Sequence, residues 1–178
     1  MSAATWLVVV IVAVVIVIAA GWASQTANRL DRLNVRVDLA RAAMFAALDR
    51  RTVVVRALAA WLGAHDADGA ATAQALTERA DVAEHAAPAD REAAENALSV
   101  ALARVRPDAR PVALVAELAD AETRILLARR FYNDAVRDTR GLAERPLVRR
   151  LRLGGHAELP EYFEISERIT PGSGAADH

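Results

Sequence analysis

The residues of this chain that can carry chemistry are few and scattered. Its four histidines, His65, His85, His156 and His178, lack the His-x-x-x-His or His-Glu-x-x-His spacing that sets two imidazoles on one helix face, so spacing alone builds no zinc site. Asp66-Ala67-Asp68-Gly69 lacks the further carboxylates a calcium loop needs and reads as a helix–helix connection. Gly154-Gly155 reads as a turn, because no glycine run is arranged to cradle a phosphate. The absence of cysteine excludes thiol chemistry, disulfides and thiolate metal sites. A hydrolase or transferase needs a nucleophile with its base, paired carboxylates, a metal cluster or a phosphate loop, and no such signature is recognisable. The expectation is a protein that is not an enzyme and has no cofactor or metal.

Three charged or polar constellations remain. Arg51 is the single polar residue on an otherwise apolar helix face, and Glu122 lies beside the apolar face of a later helix. In an antiparallel bundle they can meet as a half-buried ion pair that fixes register; the simpler reading lets Arg51 reach solvent along its aliphatic stem. Arg145, Arg149, Arg150 and Arg152 interleave with Leu147, Val148, Leu151 and Leu153. That pattern reads as a solvated charged face over a docked apolar one, or as a grip on anionic headgroups or an acidic partner. Arg129, Tyr132 and Asn133 form a candidate recognition patch, although Tyr132 falls at a core position, where its ring packs and its hydroxyl bonds locally.

Helices must position these groups. Few Gly and Pro, abundant Ala and Arg, and 4% aromatics favour helix throughout. Lysine is absent, a composition that reads as a GC-rich bacterial genome. From Ser24 to His65, Leu30, Leu33, Val37, Ala40, Met44, Ala47, Arg51, Val54, Leu58 and Trp61 recur in alternating steps of three and four, one narrow seam facing partner helices. A second pattern carries Ala73, Leu76, Ala80 and Ala83. After Pro88, with Asp90, Glu92 and Glu95 close behind, a third carries Ala94, Leu98, Ala101 and Val105. These two pieces read as one kinked helix matching the first in length. Asp108 is placed to cap the next helix, which tolerates Pro111 in its first turn and shows Leu114, Leu118, Ala121, Ile125, Ala128, Tyr132 and Ala135, ending near Gly141. From Leu142 onward prolines and glycines forbid a long helix, and Leu147, Leu151, Leu153, Tyr162 and Phe163 call for docking along the bundle.

The N-terminus is different in kind. Residues 1–28 contain no charged side chain, and the run from Trp6 to Ala23 spans about 27 Å at roughly 1.5 Å per residue, enough to cross a hydrocarbon core. Trp6 and Trp22 bracket it, as membrane-interface anchors do. The competing reading is a cleaved signal peptide, against which stand an n-region without Arg or Lys and the poor cleavage site Gly21-Trp22-Ala23. Arg29, Arg32, Arg36 and Arg41 follow the span, so the positive-inside tendency places the bulk of the chain in the cytoplasm and the N-terminus outside, although large domains can be translocated despite such charges. The organisation expected is an anchor over 1–25, a helical body over 26–165 and a disordered tail over 166–178. The fold class expected is all-α: a single N-terminal transmembrane helix, then an antiparallel bundle of three long helices, the middle one kinked or broken near Pro88, with an irregular C-terminal tail packed along it.

The last helical pattern resembles a known family. Glu122-Thr-Arg124-Ile125-Leu-Leu-Ala128-Arg129-Arg130-Phe131-Tyr132-Asn133-Asp134-Ala135-Val136 is similar to the E-x-R-I-x-x-A-R-x-x-Y-N-x-x-V signature of the LemA family of bacterial membrane proteins. Asn34-Val-Arg36-Val37-Asp38, Leu48-Asp49-Arg50-Arg51, Pro146 and Tyr162-Phe163-Glu164 extend the likeness over nearly the whole chain. Thr52-Val53-Val54-Val55-Arg56-Ala57-Leu58 departs from it, lacking the family's proline and asparagine, which marks a divergent branch. The resemblance implies long antiparallel helices on a membrane anchor, a cytoplasmic bulk and no established enzymatic activity.

With a net charge of −1 and mixed signs, nothing recommends nucleic acid as a partner. The function expected is a non-catalytic membrane-tethered scaffold or adaptor, in contact with the bilayer and another protein. The alternative is a membrane-linked sensor whose helices shift register; an enzyme is the least supported. Self-association stays open, since the many alanines allow close helix approach. The bacterial inner membrane is the location expected.

Overall fold

The computed structural model describes residues 2–65, 69–155 and 158–164, and every regular element among them is helical. Asp66, Ala67 and Asp68 of the expected turn, His156, His178 and the tail expected to be disordered lie outside the described residues. Helix α1 (Ala3–His65) is unbroken over 63 residues. It contains no proline, and its one early glycine, Gly21, is an exposed helical residue with open space where a side chain would stand. The apolar N-terminal part is long enough to cross a membrane, and none of that window is buried against the rest of the chain. A soluble core helix would bury such a surface; this one leaves it bare. At the other end His65 stacks on Trp61, with centroids 4.8 Å apart, and its Nδ1–H donates to the Trp61 carbonyl at 3.0 Å.

Among the described residues four further helices follow: α2 (Ala70–His85), α3 (Arg91–Ala103), α4 (Val112–Ala143) and the short α5 (Pro146–Arg150). A 3₁₀ turn, Pro107–Ala109, precedes α4. Asp108 sits in that turn and pairs with Arg106 at 2.8 Å, and Pro111 stands just before α4 rather than inside it. The chain forms two compact units, Met1–Met44 with Leu127–Tyr162 and Phe45–Leu126 with Phe163–His178.

In the second unit the break near Pro88 is real, but the two pieces do not stack as one kinked helix. The connection after α2 turns extended at Ala86, and α3 packs back alongside α2 as a hairpin. Leu76, Ala80 and Ala83 of α2 and Ala94, Leu98 and Leu102 of α3 share a core with Val54, Val55, Leu58 and Leu62 of α1 and Leu118 of α4. Folding α3 back explains why α1 buries two stripes here: besides the expected Val54 and Leu58, residues Leu48, Thr52, Val55, Ala59 and Leu62 are covered. One seam serves one partner face, and a helix enclosed by more neighbours needs a wider one.

The first unit is sparser. Here α1 and α4 run antiparallel, with Arg36 paired to Asp138 at 3.1 Å and Arg41 over the Tyr132 ring at 5.8 Å. Leu30, Leu142 and Val148 form a small buried cluster, flanked by Leu33, Ala143 and Leu153.

Candidate functional site

The most concentrated chemistry lies in the second unit, where α3 lies against α1. Arg51 is 5% exposed, so its side chain does not reach solvent, and its partner is Glu95 rather than Glu122. Nη2 of Arg51 donates to Glu95 Oε2 at 2.5 Å and to the Glu95 carbonyl at 3.3 Å, while Nη1 donates to Ser99 Oγ at 3.1 Å. Glu122 is exposed and makes no ion pair among the described residues. The reason is the hairpin: folding α3 back onto α1 delivers a carboxylate to Arg51 from the side, which a kinked but continuous helix would not do.

The other oxygen of Glu95, a residue with 0% exposure, accepts from Arg91 Nε at 3.0 Å. Nη2 of Arg91 reaches Asp49 Oδ1 at 2.6 Å, and its guanidinium carbon lies 5.5 Å from the centre of the Phe45 ring. Burial works against the Arg91 charge, but the hydrogen bonds to Asp49 and Glu95 outweigh it and raise its pKa above the ordinary guanidinium value. Two buried arginines thus meet the buried Glu95 and the half-exposed Asp49, and this pairing offsets desolvation that unpaired ions would not survive. Arg51 Nε is buried without a hydrogen-bond partner among the described residues. Ser99 Oγ also donates to the Glu95 carbonyl at 2.9 Å. With both Glu95 oxygens and the Ser99 hydroxyl committed, the arrangement clasps two helices and offers no idle base or nucleophile. Among the described residues no group of three or more His, Asp and Glu side chains converges as metal ligands do.

Nearby, Arg56 of α1 bonds Asp81 and Glu84 of α2, and those bonds, Glu84 first, raise its pKa. The same contact holds the Glu84 carboxyl below its ordinary value. His85 donates Nδ1–H to the Asp81 carbonyl at 2.9 Å, so its ring, like that of His65, is spent on its own helix's end.

Sequence spacing predicted neither Glu95 as the partner of Arg51 nor Arg91 as part of a buried network. The available signal was the pair Arg91 and Glu95, four residues apart, beside the apolar positions Ala94, Leu98 and Leu102. Charges on a core face demand partners.

In the first unit Tyr132 is buried as expected, but its hydroxyl donates to the Glu161 carbonyl at 2.8 Å and so pins the tail rather than its own helix. Arg129 and Asn133 are half-buried and engaged in interactions, not an open patch. The arginine group divides. Arg145 precedes α5 and lines a cleft of about 520 Å³ that reaches up α1 to Trp22. Arg149 and Arg152 line a different cleft, shared with Glu144 and Glu158, and Arg150 is exposed. Arg152 takes a left-handed backbone, φ 52°, closing α5 through a Leu153 N–H bond to the Val148 carbonyl at 3.1 Å. The tail docks differently from the expectation as well. Val148 and Phe163 are buried, whereas Leu147 at 61%, Leu151 at 55% and Tyr162 are exposed. On a single helical turn, the side that turns Val148 inward leaves Leu147 and Leu151, four residues apart, facing out.

Compared with models of known families, with curated proteins and with solved structures, the chain has no match.

Proposed function

We propose that this protein is a non-catalytic, membrane-anchored helical scaffold or adaptor, a divergent relative of the LemA family whose long antiparallel helices stand on the anchor and present a binding surface to another protein. The observation that carries the reading is the continuity of α1 from its bare apolar part into the packed seam, since a helix without a hinge couples the folded part mechanically to the bilayer. Trp6 and Trp22 then sit at the two headgroup layers, and the arginines that follow place the remainder in the cytoplasm. Binding surface is available where apolar side chains stand exposed four residues apart, Val35 with Leu39 on α1 and Leu127 with Phe131 on α4. A register-shifting sensor is less well supported, because Glu95 and Ser99 hold Arg51, the one polar residue on the α1 seam.

The test is site-specific photocross-linking from position 39 or 131 in native membranes. A discrete adduct that disappears with Leu39→Glu or Phe131→Glu is expected; a pattern indistinguishable from unirradiated membranes sinks the scaffold reading.

A further inference from the structure

Four residues of α1 just beyond its apolar part, Trp22, Gln25, Arg29 and Arg32, recur in steps of three, four and three and therefore share one helix face. That face lies beside the packed seam, which at this height runs through the buried Thr26 and Leu30. Together with Asn28, Leu142, Arg145 and Val148 it lines the 520 Å³ cleft. One turn further from the span, Arg36 continues the same stripe and finds an acid, Asp138 of α4, at 3.1 Å. Moving back toward the span, the residues facing this stripe are Leu142 of α4 and then Arg145, which stands beyond α4 at the start of α5. The ladder of opposite charges becomes a convergence of three like ones.

No acidic side chain lines this cleft, and among the described residues Arg29, Arg32 and Arg145 form no ion pair. Three guanidinium groups in one concavity repel one another, and a concave wall of one sign focuses its field on whatever anion enters. Gln25 and Asn28 add amide donors at the rim. Height along the helix selects the anion. Arg29 stands about 10 Å beyond Trp22 at roughly 1.5 Å per residue, and a guanidinium on its flexible stem reaches back over much of that distance toward the headgroups.

We propose that this cleft is a binding site for the headgroup of an anionic phospholipid, with the phosphodiester held by Arg29, Arg32 and Arg145 and the acyl chains running down beside the apolar part of α1. The inference rests on the membrane-anchored reading above. It gives the first arginines after the span a specific ligand in place of a general attraction to negative membranes.

Trp22 borders the cleft and serves as the reporter. The full chain carrying W6F and W61F is reconstituted into phosphatidylcholine vesicles containing an equal minority fraction of either brominated phosphatidylglycerol or brominated phosphatidylcholine, and Trp22 fluorescence is read. Stronger quenching by the anionic lipid is expected, with a local enrichment of roughly fivefold for each arginine that engages it. Combined R29Q, R32Q and R145Q should bring quenching to the phosphatidylcholine level, while R79Q with R104Q, on exposed residues of the other unit, should leave the selectivity intact. Equal quenching by both lipids overturns the site and leaves the anchor standing. Absence of quenching by either overturns both. Selectivity abolished by inorganic phosphate in solution reassigns the cleft to soluble phosphate and overturns the lipid as its ligand.

Discussion

Glu95 of α3 binds two buried arginines, Arg51 of α1 and Arg91 of its own helix, and its removal exposes what the network holds. Glu95→Ala leaves Arg51 buried without its carboxylate and Arg91 with Asp49 alone, and should destabilise the protein by about 3–5 kcal/mol, whereas the exposed Glu122→Ala should change stability by no more than about 0.5 kcal/mol. Chemical denaturation in detergent followed by circular dichroism measures both. Glu84 carries a pH dependence of definite sign. Its folded pKa lies below the ordinary 4.5, so the folded state favours the ionised form more than the unfolded chain does. The resulting stabilisation is complete above the ordinary value and is lost as pH falls through the lower folded value. Wild type should therefore exceed Glu84→Gln in thermal midpoint near neutral pH, and the gap should close in acid. A gap that persists or widens in acid contradicts the assignment. Arg51 was legible as an anomaly on an apolar seam, but its partner was not, because an acid's spacing from its own helix's apolar positions does not say which neighbouring helix it will face.

Core faces were readable from periodicity, whereas the start of α4 was not, since Asp108 lies in the preceding 3₁₀ turn and Pro111 just before the helix. Every predicted seam residue of α1 and α4 is at least half-buried, from Leu30 to Trp61 and from Leu114 to Ala135. The relation between α2 and α3 was not readable, since Pro88 marks a break without giving its angle; a stacked kink and a folded-back hairpin leave the same apolar stripe on each piece. Leu98→Ala, at the centre of the hairpin's shared core, should cost about 2–5 kcal/mol by unfolding measurements. On α5 and at its C-cap, Leu147→Ala and Leu151→Ala should stay within about 0.5 kcal/mol, because both side chains already face outward. Tyr132→Phe should cost about 0.5–1.5 kcal/mol and speed amide hydrogen exchange near Glu161, whose carbonyl its hydroxyl holds.

For the whole molecule, the anchored scaffold predicts retention in the membrane pellet after an alkaline wash and a cytoplasmic signal from a compartment-sensitive reporter fused after Ala176. Release of a shortened, exported protein would instead identify residues near Ala23 as a cleavage site and move every partner to the other side of the membrane. An all-helical chain with one span-length apolar segment follows from residue order alone, because the charge-free run and the alternation of three and four are local patterns that no distant contact has to complete. Glu95 between two arginines, the α2–α3 hairpin, Val148 turned in with Leu147 turned out, and three arginines converging beside Trp22 are of another kind. Each depends on residues that sequence separates by tens of positions, and the identity of a neighbour across a helix interface is set by how the helices pack rather than by the period of either one.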